Sequence, residues 1–195
     1  MKLPPVLSWT SSRQAAGLFL LALVLRLLHL AEASDSPYFG DLYLDAEEYQ
    51  TLAKGLLSGQ WGQAAENTYV HGILFPALWA LVMFFGGGPM TMCLLQAVLG
   101  AATCVLLHRS AHHLMSPGAA LFCGLIAAVY WPFILFGGQL LATTLVLFLV
   151  AALLALLLRP GATDHPGIVF GAGLLLALLA TTRANSLLLV LPVFW

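Results

Sequence analysis

Apolar residues along this chain form long continuous runs that short polar segments separate. Helices of roughly 17 to 25 apolar residues are long enough to cross a bilayer. Because Gly, Pro and charge clusters rather than long polar domains separate the runs, the pattern predicts an all-α polytopic transmembrane helical bundle. The runs are found at 15–33, 91–107, 118–136, 140–158, 168–180 and from 187 onward.

The shorter apolar run at 72–85 decides the predicted topology. Pro76 near its start and the Gly-rich turn at 86–89 limit it, and it is too short for an ordinary crossing. If it crossed the membrane, Arg109 and Arg159 would lie outside. If it only dips into the outer leaflet, both lie in the cytoplasm with the basic amino terminus. Cytoplasmic loops carry an excess of Lys and Arg, so we expect the dip.

Composition indicates an integral membrane protein. Hydrophobic residues make up 61% of the chain and charged residues 8%, whereas about a quarter of residues are charged in soluble domains. The net charge of -1 gives no reason to expect a nucleic acid partner, and membrane lipids are the expected surroundings. The three cysteines lie inside apolar runs without metal-ligand spacing, so we expect packing roles for them. On a cytoplasmic helix end, His108, His112 and His113 are expected to be interfacial cations or helix C-terminal residues rather than metal ligands.

The run at 15–33 predicts a first spanning helix with its amino end in the cytoplasm, because basic residues precede it. A signal peptide is the alternative, since residues 31–33 read Ala-Glu-Ala, like a cleavage site. Arg26 and His29 would interrupt the apolar region of a signal peptide, whereas in a spanning helix they can snorkel or face the bundle interior. The chain ends inside an apolar run, so residues 1–195 are expected to be the amino-terminal portion of one membrane domain.

Nearly all acidic side chains fall in one loop. Seven of the eight Asp and Glu lie between residues 32 and 66, so a functional site is expected there. Asp45 is predicted to cap a short helix at 46–57 that ends at Ser58-Gly59, with Glu48 completing a capping box. The helix is predicted to lie along the membrane interface. One face of it is expected to carry Asp45, Glu48, Tyr49 and Leu52.

Short motifs follow one another along nearly the whole chain. In order they are Arg26-Leu-Leu-His29, Leu44-Asp45-Ala-Glu-Glu-Tyr49, Phe75-Pro76, Leu95-Gln96, Ala128-Val-Tyr-Trp-Pro132, Gln139-Leu140-Leu141 and Thr182-Arg183-Ala-Asn185. Their order and spacing together resemble the beginning of polytopic glycosyltransferases of the GT-C superfamily. Within that superfamily, the chain is most similar to the bacterial relatives of protein O-mannosyltransferases and of lipid A aminoarabinose transferases.

The resemblance implies a glycosyltransferase of the bacterial inner membrane. Such an enzyme moves a sugar, with inversion, from a polyprenyl-phosphate donor to a lipid, glycan or protein acceptor on the extracytoplasmic face. The catalytic loop carboxylate of the family, the general base, maps to Asp45, and its basic residue after a later outward helix maps to Arg183. The residues expected to bind substrate are Glu48, Tyr49, His71, Gln139, Arg183 and Asn185.

The chain departs from the family pattern in two places. Relatives commonly carry an acid in the second outer loop, near Gln139 of this chain, so the sequence supports no two-carboxylate site for a divalent metal and no cofactor is assigned. Residues 73–76 read Ile-Leu-Phe-Pro where Pro-Leu-Tyr-Pro is common.

Non-catalytic interpretations compete with the enzymatic one. In these interpretations Asp45 is only a helix cap, and Arg183 contacts lipid phosphate in general. The chain is then either a non-catalytic polytopic protein, such as a lipid carrier or transporter subunit, or a degenerate relative that binds polyprenyl phosphate without catalysis. A transporter would place ionisable residues near the bilayer midplane and show internal repeats, whereas the acidic residues of this chain collect at one loop.

Overall fold

The computed structural model describes residues 9–36, 39, 42, 44–60 and 72–189, with side chains from residue 12 onward. These residues contain no strand, in agreement with the predicted all-α fold class. The helices are α1 (Trp9–Ser34), α2 (Asp45–Leu57), α3 (Leu74–Phe84), α4 (Pro89–Ala111), α5 (Pro117–Val129), α6 (Trp131–Leu135), α7 (Thr143–Leu157) and α8 (Pro166–Thr182). Short 3₁₀ turns occupy Phe136–Gly138, Ala162–Asp164 and Ala184–Leu189.

Two of these helices are long and apolar enough to cross a membrane. They are α1, over Ser12–Ser34, and α4, over Pro89–Ala111, each with 23 qualifying residues. The pair formed by Pro117–Val129 and Trp131–Gly138 is a third candidate if the two pieces, which are bent by 55°, count as one span. Helices α3, α7 and α8 are apolar but shorter. The helix lengths are therefore consistent with an integral membrane protein.

Helix α4 is central and packs against α1, α5 and α7. Between α1, α4 and α5 the core consists mainly of small side chains, including Ala22, Ala101 and Ala128. A larger core joins α2, α3, α4, α7 and α8, and in it Phe75 and Trp79 are completely buried. Because truncating a buried aromatic residue typically costs about 3 to 5 kcal/mol, these two rings hold α3 firmly against the bundle.

The helices α4 and α7 begin at the same end of the bundle. Near the start of α4, Gln96 donates a 2.7 Å hydrogen bond from Nε2 to the carbonyl of Gln139, just before α7. The hydroxyl of Thr144, at the start of α7, donates to the carbonyl of Phe136. Since α7 and α8 pack together across a short connection, the carboxyl end of α8 returns to this end as well. We name it the acidic end because α2 and its carboxylates also lie there.

Both ends of α3 lie at the acidic end. Just before the helix, Ile73 donates a 2.8 Å backbone hydrogen bond to the carbonyl of Thr181, in the last turn of α8. After the helix, the turn at 85–88 leads directly into the first residue of α4. Helix α3 therefore does not run from one end of the bundle to the other, and its dip into the outer leaflet stays a prediction.

The predicted capping role of Asp45 is wrong. The N-cap position of α2 is held by Leu44, with a φ of 50°, and no side chain caps the helix. Backbone N–H groups of Glu47 and Glu48 both donate to the carbonyl of Leu44, so the chain turns one residue earlier than expected. Asp45 consequently lies inside the first helical turn, where its side chain cannot reach back over the exposed N–H groups as an N-cap does. The predicted end of the helix at Ser58 and Gly59 is confirmed.

Two other details differ from the sequence-based expectations. The apolar run at 118–136 is not one straight helix, because Tyr130 is extended and Pro132 lacks the N–H that a continuing helix would use. His108 lies in the last turn of α4, as expected, but it is completely buried inside the bundle, because the absence of a side chain at Gly124 lets α5 approach it closely. The run from 187 onward begins within the 3₁₀ turn Ala184–Leu189, and residues 190–195 lie outside the described residues.

Candidate functional site at the acidic end

Helix α2 is amphipathic and packs against α3 through an aromatic contact and neighbouring apolar residues. Tyr49 is 3% exposed, and its ring centroid lies 4.9 Å from that of Phe75 in an edge-to-face arrangement. Leu52 and Ala53, on the same face, are also buried. Edge-to-face aromatic pairs contribute about 0.5 to 1.5 kcal/mol beyond their buried area, so the contact fixes the rotation of α2 about its axis.

The amino-terminal end of α2 presents three carboxylates. Asp45, Glu47 and Glu48 all lie in the first turn and are exposed. The unsatisfied N–H groups of a helix amino terminus favour negative charge nearby, which makes this clustering tolerable. Glu47 and Glu48 line an open cleft of about 290 Å³ together with Thr51 and Leu52.

Arg183 brings a positive charge to the same place from the far end of the chain. It follows the last residue of α8, its backbone N–H donates to the carbonyl of Leu179, and its side chain is exposed. Burial raises the pKa of Tyr49 above its ordinary value of 10.0; the negative charge of Asp45 raises it further, the charge of Arg183 lowers it, and Glu48 raises it. The Tyr49 phenol therefore lies within electrostatic reach of both the acids and the arginine.

A backbone clamp holds Arg183 in position. The residue before α3, Ile73, is hydrogen-bonded to Thr181, and Gly72 lies directly against the carbonyl groups of Thr181 and Thr182. Gly72 has a φ of +69° and no room for a Cβ, so this close approach requires glycine. The clamp joins the start of α3, the helix against which α2 packs, to the end of α8, which Arg183 follows directly.

The remaining predicted site residues are less closely connected. Gln139 lies at the acidic end with an exposed side chain, and its carbonyl, not its side chain, accepts the hydrogen bond from Gln96. Asn185 is exposed in the 3₁₀ turn after Arg183. His71 lies outside the described residues.

The structure therefore brings together four of the predicted residues, namely Asp45, Glu48, Tyr49 and Arg183. In the described part of the chain, no contact joins the side chains of Gln139 or Asn185 to α2. These residues comprise an exposed acid in the first turn of α2, a buried phenol on the same helix and an exposed guanidinium whose charge acts on that phenol, which is a combination suited to accepting a proton and holding an anion.

Arg26 is a buried polar residue for which the sequence left two positions open, the membrane interface and the bundle interior. It is 2% exposed and lies in α1. Its Nη1 donates to the carbonyl of Ala22 at 2.9 Å, and its Nη2 contacts Cys104 Sγ at 3.6 Å. The Nε atom has no hydrogen-bond partner among the described residues. The guanidinium fits beside α4 because position 100 is glycine. Of the two alternatives from the sequence, the bundle interior is the one that applies.

The buried Gln96 was not predicted. Its only signal in the sequence is one polar residue inside an apolar run, and its role is to link the start of α4 to the carbonyl of Gln139.

Known proteins give no direct guide to this site. Comparison of the chain with protein-family models, with curated proteins and with solved structures gives no match. No group of three or more His, Cys, Asp or Glu that could hold a metal ion occurs in the part of the chain that the structure describes. The geometry of the described residues is therefore the basis on which a function can be argued.

Proposed function

We propose that this chain is a GT-C-type glycosyltransferase of the bacterial inner membrane, acting at its acidic end on the extracytoplasmic side. The observation that carries the proposal is that the charges of Asp45 and Arg183 both act on the buried Tyr49, although helix α8 and helix α2 are far apart in the sequence. The proposed substrates are a polyprenyl-phosphate-linked sugar and a hydroxyl-bearing acceptor, which is a lipid, a glycan or a protein.

Charge at the opposite end of the bundle supports this orientation. Arg13, Arg109 and Arg159 lie there, and the acid Asp164 lies in the same region. Short cytoplasmic loops are rich in Arg and Lys, so this end is assigned to the cytoplasm and the acidic end to the other side. The fully polytopic arrangement, with α2 along the outer interface and α3 dipping from it, follows from the same assignment.

The proposed reaction needs one base and one anion-binding group. The acceptor oxygen attacks the anomeric carbon of the sugar, and the bond from that carbon to the phosphate oxygen breaks on the opposite side, which inverts the configuration. Asp45 accepts the proton of the acceptor hydroxyl. Arg183 stabilises the negative charge that develops on the departing polyprenyl phosphate.

Tyr49 and Glu48 are assigned to binding. The Tyr49 phenol stays protonated because burial and Asp45 raise its pKa, so it is a hydrogen-bond donor for a sugar or phosphate oxygen. Glu48 lines the cleft beside it and is an acceptor for sugar hydroxyl groups. A hydrocarbon tail of the donor would extend along the apolar exterior of the bundle.

A second candidate function is non-catalytic binding or carriage of a lipid phosphate. Arg26 favours it, because an ionisable side chain buried inside a membrane bundle is typical of proteins that move polar groups across the bilayer. Arg183 would then bind the phosphate, and Asp45 would have no chemical role.

Transfer kinetics separate the two candidates. In membranes carrying the full chain, Asp45→Asn should lower the turnover of a radiolabelled polyprenyl-phosphate sugar by about 100- to 10,000-fold, the usual contribution of a positioned base. Donor binding should be nearly unchanged, because the substitution is close to isosteric. Arg183→Gln should instead weaken donor binding as well as turnover.

Two further variants complete the experiment. Asp164→Asn makes the same chemical change at the other end of the bundle and should behave like the wild type. Glu48→Gln tests the neighbouring acid. Wild-type turnover in Asp45→Asn would contradict the base assignment, and loss only in Glu48→Gln would move the base one turn along α2. Donor binding without any transfer in the wild type would favour the carrier.

A further inference from the structure

A second concave surface lies at the end of the bundle opposite the acidic end, independent of the proposed reaction. It is an open groove of about 460 Å³ between α1, α4 and α7. Its volume falls within the range of about 300 to 1,000 Å³ that is usual for small-molecule sites. The groove begins near the ends of α1 and α4, where Ser12 and Arg109 line it, and extends along both helices to Phe19 and Ala102.

The walls of the groove are apolar, and small alanine side chains line its floor. Ala16 of α1, Ala102 of α4 and Ala152 of α7 form the trough, and Phe19 and Phe148 form two of its sides. A surface of this kind offers dispersion contacts and no hydrogen bonds, so it favours a hydrocarbon chain over a hydrated ligand.

One end of the groove is polar. Arg109, in the last turn of α4, and Ser12 of α1 both line it. Arg109 is exposed and makes no hydrogen bond or ion pair within the described part of the chain. Arg159, by contrast, lies outside the groove and donates from Nε to the carbonyl of Ala155 at 3.2 Å. A guanidinium and a hydroxyl at the mouth of an apolar trough are complementary to a phosphate that carries a hydrocarbon chain.

The size of the groove argues against a helix as the occupant. One turn of an α-helix, about 10 Å across and 5.4 Å high, occupies on the order of 400 Å³. The groove would therefore hold scarcely more than one turn, whereas a transmembrane helix packs over several. A single acyl chain makes better use of a narrow trough between alanines.

We propose that this groove binds one anionic phospholipid, with its phosphate on Arg109 and Ser12 and an acyl chain in the trough of alanines. The basic residues at this end of the bundle are complementary to the anionic cytoplasmic leaflet. Bound lipid would cover the junction of α1, α4 and α7, and so would stabilise the packing of α1 on the rest of the bundle.

Native mass spectrometry of the full chain tests the proposal. Protein in detergent is given equal amounts of phosphatidylglycerol and phosphatidylcholine with the same acyl chains, and the retained lipids are counted. Phosphatidylglycerol should be retained preferentially. Arg109→Gln should lower that preference about fivefold, since one basic residue near an anionic lipid contributes about 1 kcal/mol. Ala16→Phe should abolish retention of both lipids by filling the trough.

Matched controls distinguish the groove from general effects. Arg159→Gln removes a neighbouring charge outside the groove, and Ala119→Phe adds bulk at an exposed position of α5; both should retain lipid like the wild type. Equal loss in Arg159→Gln and Arg109→Gln would mean that only diffuse charge attracts lipid. Unchanged retention in Ala16→Phe, displacement by inorganic phosphate alone, or a dimer that Ala16→Phe dissociates would each overturn the proposal.

Discussion

Replacing Gly100 with alanine should expose how tightly the bundle is built around its buried arginine. A Cβ at this position would lie 2.5 Å from Nε of Arg26 and 3.2 Å from its Cδ. Real Cβ atoms do not approach other atoms so closely, so the guanidinium must move away from α4. Arg26 is 2% exposed, so it has no free space into which to move.

The expected loss of stability is about 3 kcal/mol. Overpacking a dense core typically costs about 1 to 3 kcal/mol, and weakening a hydrogen bond of a charged group costs about 1.5 to 3 kcal/mol. The bond at risk here is the one from Arg26 to the carbonyl of Ala22. Relief of the glycine penalty in a helix interior returns about 0.5 to 1 kcal/mol. The substitution is therefore expected to lower the free energy of unfolding.

Reversible unfolding in mixed micelles with increasing dodecyl sulfate, followed by circular dichroism, measures this free energy. Gly173→Ala in α8 is the matched control, because a Cβ there meets nothing within 4 Å; that variant should be unchanged or slightly more stable. Gly100→Ala should cost much less in an Arg26→Met background, where no guanidinium fills the space. A wild-type unfolding curve for Gly100→Ala, or the same loss in both backgrounds, would refute the reasoning.

Three other predictions concern orientation, the site and the pH dependence of stability. In an otherwise cysteine-free chain, His113→Cys should resist an impermeant thiol reagent in intact cells while Asn185→Cys reacts; the reverse result would contradict the assignment of the acidic end to the extracytoplasmic side. In an ultraviolet titration of tyrosinate, Asp45→Asn should lower the pKa of Tyr49 and Arg183→Gln should raise it, and no change in either variant would separate these residues from Tyr49. Because burial raises this pKa in the folded protein, stability should fall as pH rises through the ordinary value of 10.0, and Tyr49→Phe should remove that fall.

Local sequence signals predicted the helices because such signals act over a few residues. Pro117 begins α5, and Ser58 and Gly59 end α2, as expected of residues that start and stop helices. Pro132 is a sequence signal for the bend before Trp131, but the run was predicted as one helix because its hydropathy is uniform. The start of α2 was misplaced because Asp is the commoner cap, whereas the turn is made by the backbone of Leu44.

The tertiary arrangement depends on contacts that leave little trace in a single sequence. The hydrogen bond between Ile73 and Thr181 joins two backbone groups, so the side chains at these positions give no sequence signal for it. Charge asymmetry draws on the whole chain and predicts that 72–85 dips into one leaflet, which stays a prediction. The burial of His108 could not be predicted from its place near a helix end, since it depends on where Gly124 of another helix happens to lie.

The error at the start of α2 has a consequence for the chemistry of Asp45. An N-cap aspartate commits one carboxylate oxygen to the backbone N–H groups of its own helix. Asp45 has no such bond, since the helix has no side-chain cap, and it is exposed on the first turn. Its oxygens are therefore available to an incoming hydroxyl group, while the adjacent N–H groups still favour negative charge at this position. The simplest alternative to a chemical role, that Asp45 is present only to cap α2, is thus the one that the geometry removes.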